Sequence, residues 1–162
     1  MEFPFRAANL STLAHATEDE QKVLKALRVL LPEGVEVSTG KLKGHYGNPI
    51  FTFTSHIKQR KLVRELWVRM TTKLSDDELN MLRRAVPERV DEKCNLHLRF
   101  DKQLAYDGEL AFTDGGDAIH VRLKVAAYPA KPEVATRLVQ ELISTTVTVG
   151  EGDNSIKNLG VK

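Results

Sequence analysis

A chain of 162 residues that is 41% hydrophobic can bury one real core, which excludes disorder throughout and leaves little room for a second domain. The formal net charge is only +2, so charge total alone does not argue for a polyanion partner, and the distribution of charge becomes the useful quantity. No run approaches the ~20 apolar residues of a membrane helix, and MEFPFRAANL lacks the order of a signal segment, so a soluble cytoplasmic protein with no membrane partner is expected.

Residues 5–16, FRAANLSTLAHA, are expected to form a first strand. Thr17-Glu-Asp-Glu20 has the spacing of a capping box, and Val23, Leu24, Leu27, Leu30 and Leu31 recur on one helical stripe until Pro32 and Gly34 stop it. Residues 35–42 and 49–57 read as short strands, with Gly44-His-Tyr-Gly-Asn-Pro49 as the turn of a hairpin between them. A helix follows over residues 58–73, burying Leu62, Val63, Leu66 and Met70, with Trp67 at the edge of the stripe. Ser75-Asp-Asp-Glu78 is a second capping box; its helix carries Leu79, Leu82 and Val86 and is expected to end at Pro87.

Over residues 95–101 strict alternation sets Leu96, Leu98 and Phe100 on one face and His97 and Arg99 on the other. Residues 104–112 read as a strand that alternates less cleanly around Gly108, joined by Thr113-Asp-Gly-Gly-Asp117 to a strand with Ile119, Val121, Leu123 and Val125 inward and His120, Arg122 and Lys124 outward. Pro132 opens a last helix with Val134, Leu138 and Leu142 on its stripe. The order implies an α+β class: a single domain over residues 1–144, an antiparallel sheet with helices packed on one face, and a flexible tail over 145–162.

The charges are segregated. Lys41, Lys43, Lys58, Arg60, Lys61, Arg64, Arg69 and Lys73 face a single acid, Glu65, whereas residues 74–117 hold eleven acids against six bases. Lysines and arginines supply the sequence-independent part of nucleic-acid affinity through phosphate contacts, so the basic run is the first candidate surface. If the two strands pair, both ends of that run are expected in one neighbourhood. His45 and Tyr46 at the turn are candidates for stacking on an unpaired base, or Tyr46 folds back as a lid on the core. GHYG also matches a GxxG loop, but strands rather than helices flank it, so it fits a turn better than a KH clamp. Arg99, Arg122 and Lys124 make a second-choice surface.

Catalysis has little support. Asp101, Asp107, Asp114 and Asp117 raise a divalent-metal nuclease only as a third reading, because Asp beside glycine is ordinary turn chemistry. The five histidines show no metal-ligand spacing, and the single cysteine, Cys94, has neither a disulfide partner nor an activating neighbourhood. No catalytic residue, metal or cofactor is expected.

GHYGNPIF, the basic helix after it, RFDKQ (Arg99 to Gln103), and DGGDAIHVRLKVAAYPAK occur in this order. With them the chain resembles an archaeal RNA-binding domain family once described as predicted exosome subunits, whose fold is similar to the ribosomal large-subunit protein that binds 5S rRNA. The resemblance runs from about Phe5 to Ile143 and implies RNA binding with no established catalytic residues. The combined expectation is a non-catalytic RNA-binding protein that docks RNA backbone with Lys41, Lys43, His45, Tyr46, Lys58, Arg60, Lys61 and Arg64, in RNA processing or ribosome-related work alongside such proteins. The alternative is a protein-interaction adaptor in an RNA-processing assembly.

Overall fold

The computed structural model describes residues 2–44 and 46–152, with side chains in the last helix described as far as Val147. In chain order the elements are β1 (Phe5–Ala14), α1 (Glu20–Leu30), β2 (Ser38–Lys43), β3 (Pro49–Ile57), α2 (Arg60–Thr72), α3 (Asp76–Arg89), β4 (Asn95–Asp101), α4 (Lys102–Tyr106), β5 (Ala118–Val125) and α5 (Pro132–Gly152). The strands make one sheet, β2-β3-β1-β5-β4, in which every neighbouring pair is antiparallel.

Period-two alternation gives this sheet one apolar face, and burying that face is what the helices are for. Leu10 of β1, Phe53 and Ile57 of β3, Leu96, Leu98 and Phe100 of β4, and Ile119, Val121, Leu123 and Val125 of β5 are all buried. They join one core with Val23 and Leu27 of α1, Val63, Leu66 and Met70 of α2, Leu79 and Val86 of α3, and Val139 and Ile143 of α5. The residues between the buried ones on β1, β4 and β5 are partly or fully exposed, so the opposite face of the sheet is open. The expected α+β class, with an antiparallel sheet covered on one face, is the observed architecture.

Several local expectations are corrected. The N-cap of α1 is Asp19, which accepts from the Gln21 amide, so Thr17 does not cap it; Glu18 is drawn into a different contact described below. The Ser75–Glu78 capping box forms as read, but α3 continues through Pro87 to Arg89. Trp67 is not at a stripe edge: it is buried against Phe5, with ring centroids 5.3 Å apart. On α5 the buried stripe is Ala135, Val139, Ile143 and Val147, one residue on from the expected set, and the helix runs past Ser144 to Gly152. Residues 145–152, expected in a tail, are thus helical, and the tail beyond 152 lies outside the described residues.

The largest difference is at residues 104–112, where a strand was expected and the short helix α4 stands instead. Asp101 ends β4 and caps α4 by accepting from the Leu104 amide, and Gly108 in a left-handed conformation (φ +85°) turns the chain out of it. Strand β4 therefore pairs directly with β5, from Asn95 opposite Lys124 to Asp101 opposite Ala118. The Thr113–Asp117 turn belongs to the loop between α4 and β5.

Candidate nucleic-acid interface

The turn at Gly44–Asn48 joins β2 to β3, and its hydrogen bonds settle how its glycines are used. The Gly44 amide donates to the Asn48 carbonyl at 2.6 Å and the Gly47 amide donates to the Gly44 carbonyl at 3.0 Å. Both glycine N–H groups are spent inside the turn, so the loop does not cradle a phosphate with them. Gly47 supplies the positive φ (+79°) that the turn needs, and a side chain at Gly44 would put Cβ 2.7 Å from the Asn48 carbonyl oxygen.

The basic run does not form one patch. Lys41 and Lys43 lie on β2 opposite Phe51 and Pro49 of β3, at the hairpin end of that strand. Both are exposed on the register that carries Phe53 into the core, and the Lys41 ammonium lies 6.0 Å from the Phe51 ring centroid. Tyr46, at the tip of the turn, is 90% exposed, which removes the lid reading; His45 lies outside the described residues. Lys58, Arg60, Lys61 and Arg64 come after Ile57, at the other end of β3. Nine residues of extended chain put about 26 Å between the two groups, so strand pairing separates what it was expected to gather. Two of these cations are also engaged: Arg60 pairs with Glu2 at 3.1 Å, and the Arg64 guanidinium sits over the Phe3 ring at 5.2 Å.

The open face of the sheet brings a different set together. His56, Asn9, Arg122 and His97 stand opposite one another across β3, β1, β5 and β4. The next row is Thr54, Ser11, His120 and Arg99, and Lys124 stands between Ala7 and Asn95 on the far side. The second-choice residues Arg99, Arg122 and Lys124 are thus neighbours on one surface. Arg122 is exposed; Arg99 donates to the Gly115 carbonyl at 2.6 Å, and Lys124 donates to the Lys93 carbonyl. His56 is hydrogen-bonded to Asn9.

One chain of contacts on this face was missed in the sequence because its acid comes from a turn. Asp91, just after α3, accepts from His97 Nε2 at 2.7 Å, and His97 Nδ1 is 3.1 Å from His120 Nε2, the two rings stacked with centroids 5.2 Å apart. Burial pushes the Asp91 carboxyl up, but hydrogen bonds from His97, from the Asn95 backbone and side chain and from the Lys93 backbone outweigh it and hold the group well below the usual carboxylate range. His120 is shifted down, by burial first and then by His97, Arg99 and Arg122. Only the period-two pairing of His97 and Arg99 with His120 and Arg122 hinted at this in the sequence.

The acids considered for metal chemistry are dispersed. Asp101 caps α4, Asp107 ends it, Asp114 lies 3.6 Å from Arg89, and Asp117 meets Lys102 at 2.6 Å. Lys102, only 2% exposed, also reaches Glu18 at 2.8 Å and donates to the Leu13 carbonyl at 2.8 Å. His15, Glu18 and Asp117 are grouped closely enough to ligate an ion, but the Lys102 ammonium already lies against both carboxylates. This cluster reads as a buried ion pair that ties the end of β1 to the β5 loop.

An antiparallel five-stranded sheet with helices on one face and arginines and histidines on the other defines an α+β protein. A family model described as RNA binding matches residues 7–125, and the chain belongs to that family. It is 39% identical over 137 residues to the RNA-binding protein PAB1135 of Pyrococcus abyssi, a match covering 82% of this chain and 89% of that protein. Among solved structures, AF2318 from Archaeglobus fulgidus, titled a DUF54 protein, superposes with a TM-score of 0.77 at 34% identity, covering 85% of this chain and 99% of that one. Mth689, a DUF54 protein from Methanothermobacter thermautotrophicus, gives 0.75 at 33% identity, covering 87% and 99%.

Proposed function

We propose that the chain binds RNA without chemistry of its own, by laying phosphodiester backbone across the open face of its sheet. The observation that carries this reading is the cross-strand placement of Arg122 between Asn9 and His97, beside His120, Arg99 and Lys124, on a face that no helix covers among the described residues. Phosphate contacts of this kind supply affinity independent of sequence. At the hairpin end the exposed Tyr46 extends the surface as a stacking platform for an unpaired base, while Lys41 and Lys43 project on the other face of the edge strand, the one that carries Phe53. Lys58 and Lys61 are flanking cations at the other end. The work is cytoplasmic and belongs to RNA processing or a ribosome-related task, with RNA-processing or ribosomal proteins as partners.

The test is fluorescence anisotropy with labelled single-stranded and hairpin RNAs across a salt series. Reversing Arg122 and Lys124 to Glu is expected to weaken binding roughly tenfold or more and to flatten the salt dependence by about one unit of slope for each lost phosphate contact. Reversing Lys58 and Lys61 is expected to do less. No binding at low salt sinks the RNA reading. Binding untouched by the first reversal but lost after charge reversal at Lys58, Arg60, Lys61 and Arg64 moves the site to the end of α2.

A further inference from the structure

The histidine pair has a property that its place on the open face turns into a ligand preference. The Asp91 carboxylate only accepts, so His97 Nε2 must carry the proton that faces it at 2.7 Å. When the pair is neutral, His97 Nδ1 is then a lone pair and must accept from His120 Nε2, 3.1 Å away. That leaves His120 Nδ1, which makes no hydrogen bond among the described residues, as an acceptor. An acceptor there repels an anionic oxygen. Add one proton to the pair and this changes wherever the proton resides. On His97 it makes Nδ1 a donor to His120 Nε2 and forces the His120 hydrogen onto Nδ1; on His120 it occupies Nδ1 directly. In both arrangements the outward nitrogen becomes an N–H donor with a positive charge behind it.

The surroundings make that switch useful for an anion. Arg99 of β4 stands directly opposite His120, Arg122 follows two residues on along β5, and the β1 neighbours Ser11 and Asn9 carry no charge. Asp91 is the acid in contact with the pair, and it lies behind His97, away from His120 Nδ1 in the hydrogen-bond order. Without a ligand these same cations oppose a second positive charge, and burial adds to them, so His120 is held below its ordinary value. An anion in the same place reverses the sign of that balance.

We propose that His120, with Arg122 and Arg99, forms a phosphate-class anion subsite on the open face whose occupation favours the singly protonated pair, through the chain Asp91–His97–His120. This rests on the open-face reading of RNA binding and adds to it a pH dependence and a specific contact. The ligand chemistry is a tetrahedral oxyanion, from an RNA phosphodiester or from a free ion in solution.

The experiment follows the His97 and His120 ring signals by NMR through a pH titration of the full chain. It is run alone, with sulfate, and with a short oligouridylate; neither sulfate nor uracil titrates in the histidine range. The His120 titration is expected to move up by about one unit with oligouridylate, and the affinity to rise roughly three- to tenfold from about pH 8 to about pH 6. His120→Gln is expected to flatten that pH profile, whereas Arg122→Gln weakens binding at every pH and leaves the profile's slope in place. A matching upward shift with sulfate alone assigns the subsite to any tetrahedral oxyanion; a shift with oligouridylate only assigns it to the RNA backbone. If oligouridylate binds but its affinity does not change with pH and it does not move the His120 titration, the subsite is wrong and RNA binding stands. If nothing binds at low salt and neither ligand moves His120, both are overturned. In Asp91→Asn the nitrogen-15 shifts of His97 should report a changed tautomer, an effect that loss of packing alone would not produce.

Discussion

Two polar clusters flank the same sheet and teach different lessons. At one end, Lys102 is buried against Glu18, Asp117 and the Leu13 carbonyl, so its charge is held by three protein partners. On the open face, Asp91, His97 and His120 form a chain of similar size, but its terminal nitrogen is left for solvent or a ligand. The first is a tie that fixes the fold, and the second is a group able to respond. Burial separates them: a buried charge demands full pairing, whereas a half-exposed imidazole tolerates changing its proton.

The largest effect expected in breaking this comparison is at Lys102. Lys102→Met removes the buried cation between Glu18 and the half-exposed Asp117 and should cost about 1–3 kcal/mol in a denaturant melt. Adding Glu18→Gln and Asp117→Asn to it should recover part of that loss, because the uncompensated charge goes with them. A melt unchanged by Lys102→Met would show that the cluster is not the tie described.

Next in size, Arg122→Glu with Lys124→Glu should weaken RNA binding roughly tenfold while leaving the melt within about 0.5 kcal/mol. That split is the opposite of the Lys102 result. Ser75→Ala, remote from both clusters, removes the α3 capping box; it should cost about 1 kcal/mol and leave RNA affinity alone.

The smallest effect is a slope. His120 is held below its ordinary value in the folded protein, so the unfolded chain binds more protons near that value and stability is expected to rise with pH through the window just below about 6.5. Lowering the pH into that window therefore weakens the fold, and His120→Gln should remove this part of the acid slope. Thermal melts at a series of pH values check it. The Asp91 contribution has the same sign in a more acidic window: its carboxyl is held low, so its stabilisation is present above about pH 4 and fades as the pH falls below that.

Much of the fold was legible because its signals are local. The bounds of β3 and β4, the inward residues of β5, the Ser75 cap and the start of α5 each depend on residues within a few positions of one another. The stretch after β4 was misread as a strand because its apolar residues alternate roughly, while the decisive features were an Asp cap at its start and a left-handed glycine at its end. The candidate face was legible in part: alternation placed Arg99, Arg122 and Lys124 outward, but their grouping with Asp91 and the paired histidines was not.

By itself the sequence determined the α+β class, the hairpin turn at Gly44–Asn48 and the two-sided character of β4 and β5, since periodicity and turn chemistry act over short range. Tertiary structure alone decided which charged groups share a surface. It placed Lys41 and Lys43 about 26 Å from Lys58, because a nine-residue strand keeps its two ends apart however close they stand in the sequence. It also joined Lys102 to Glu18 across 84 positions and His97 to His120 across 23, pairings that arise only when distant segments meet in the folded chain.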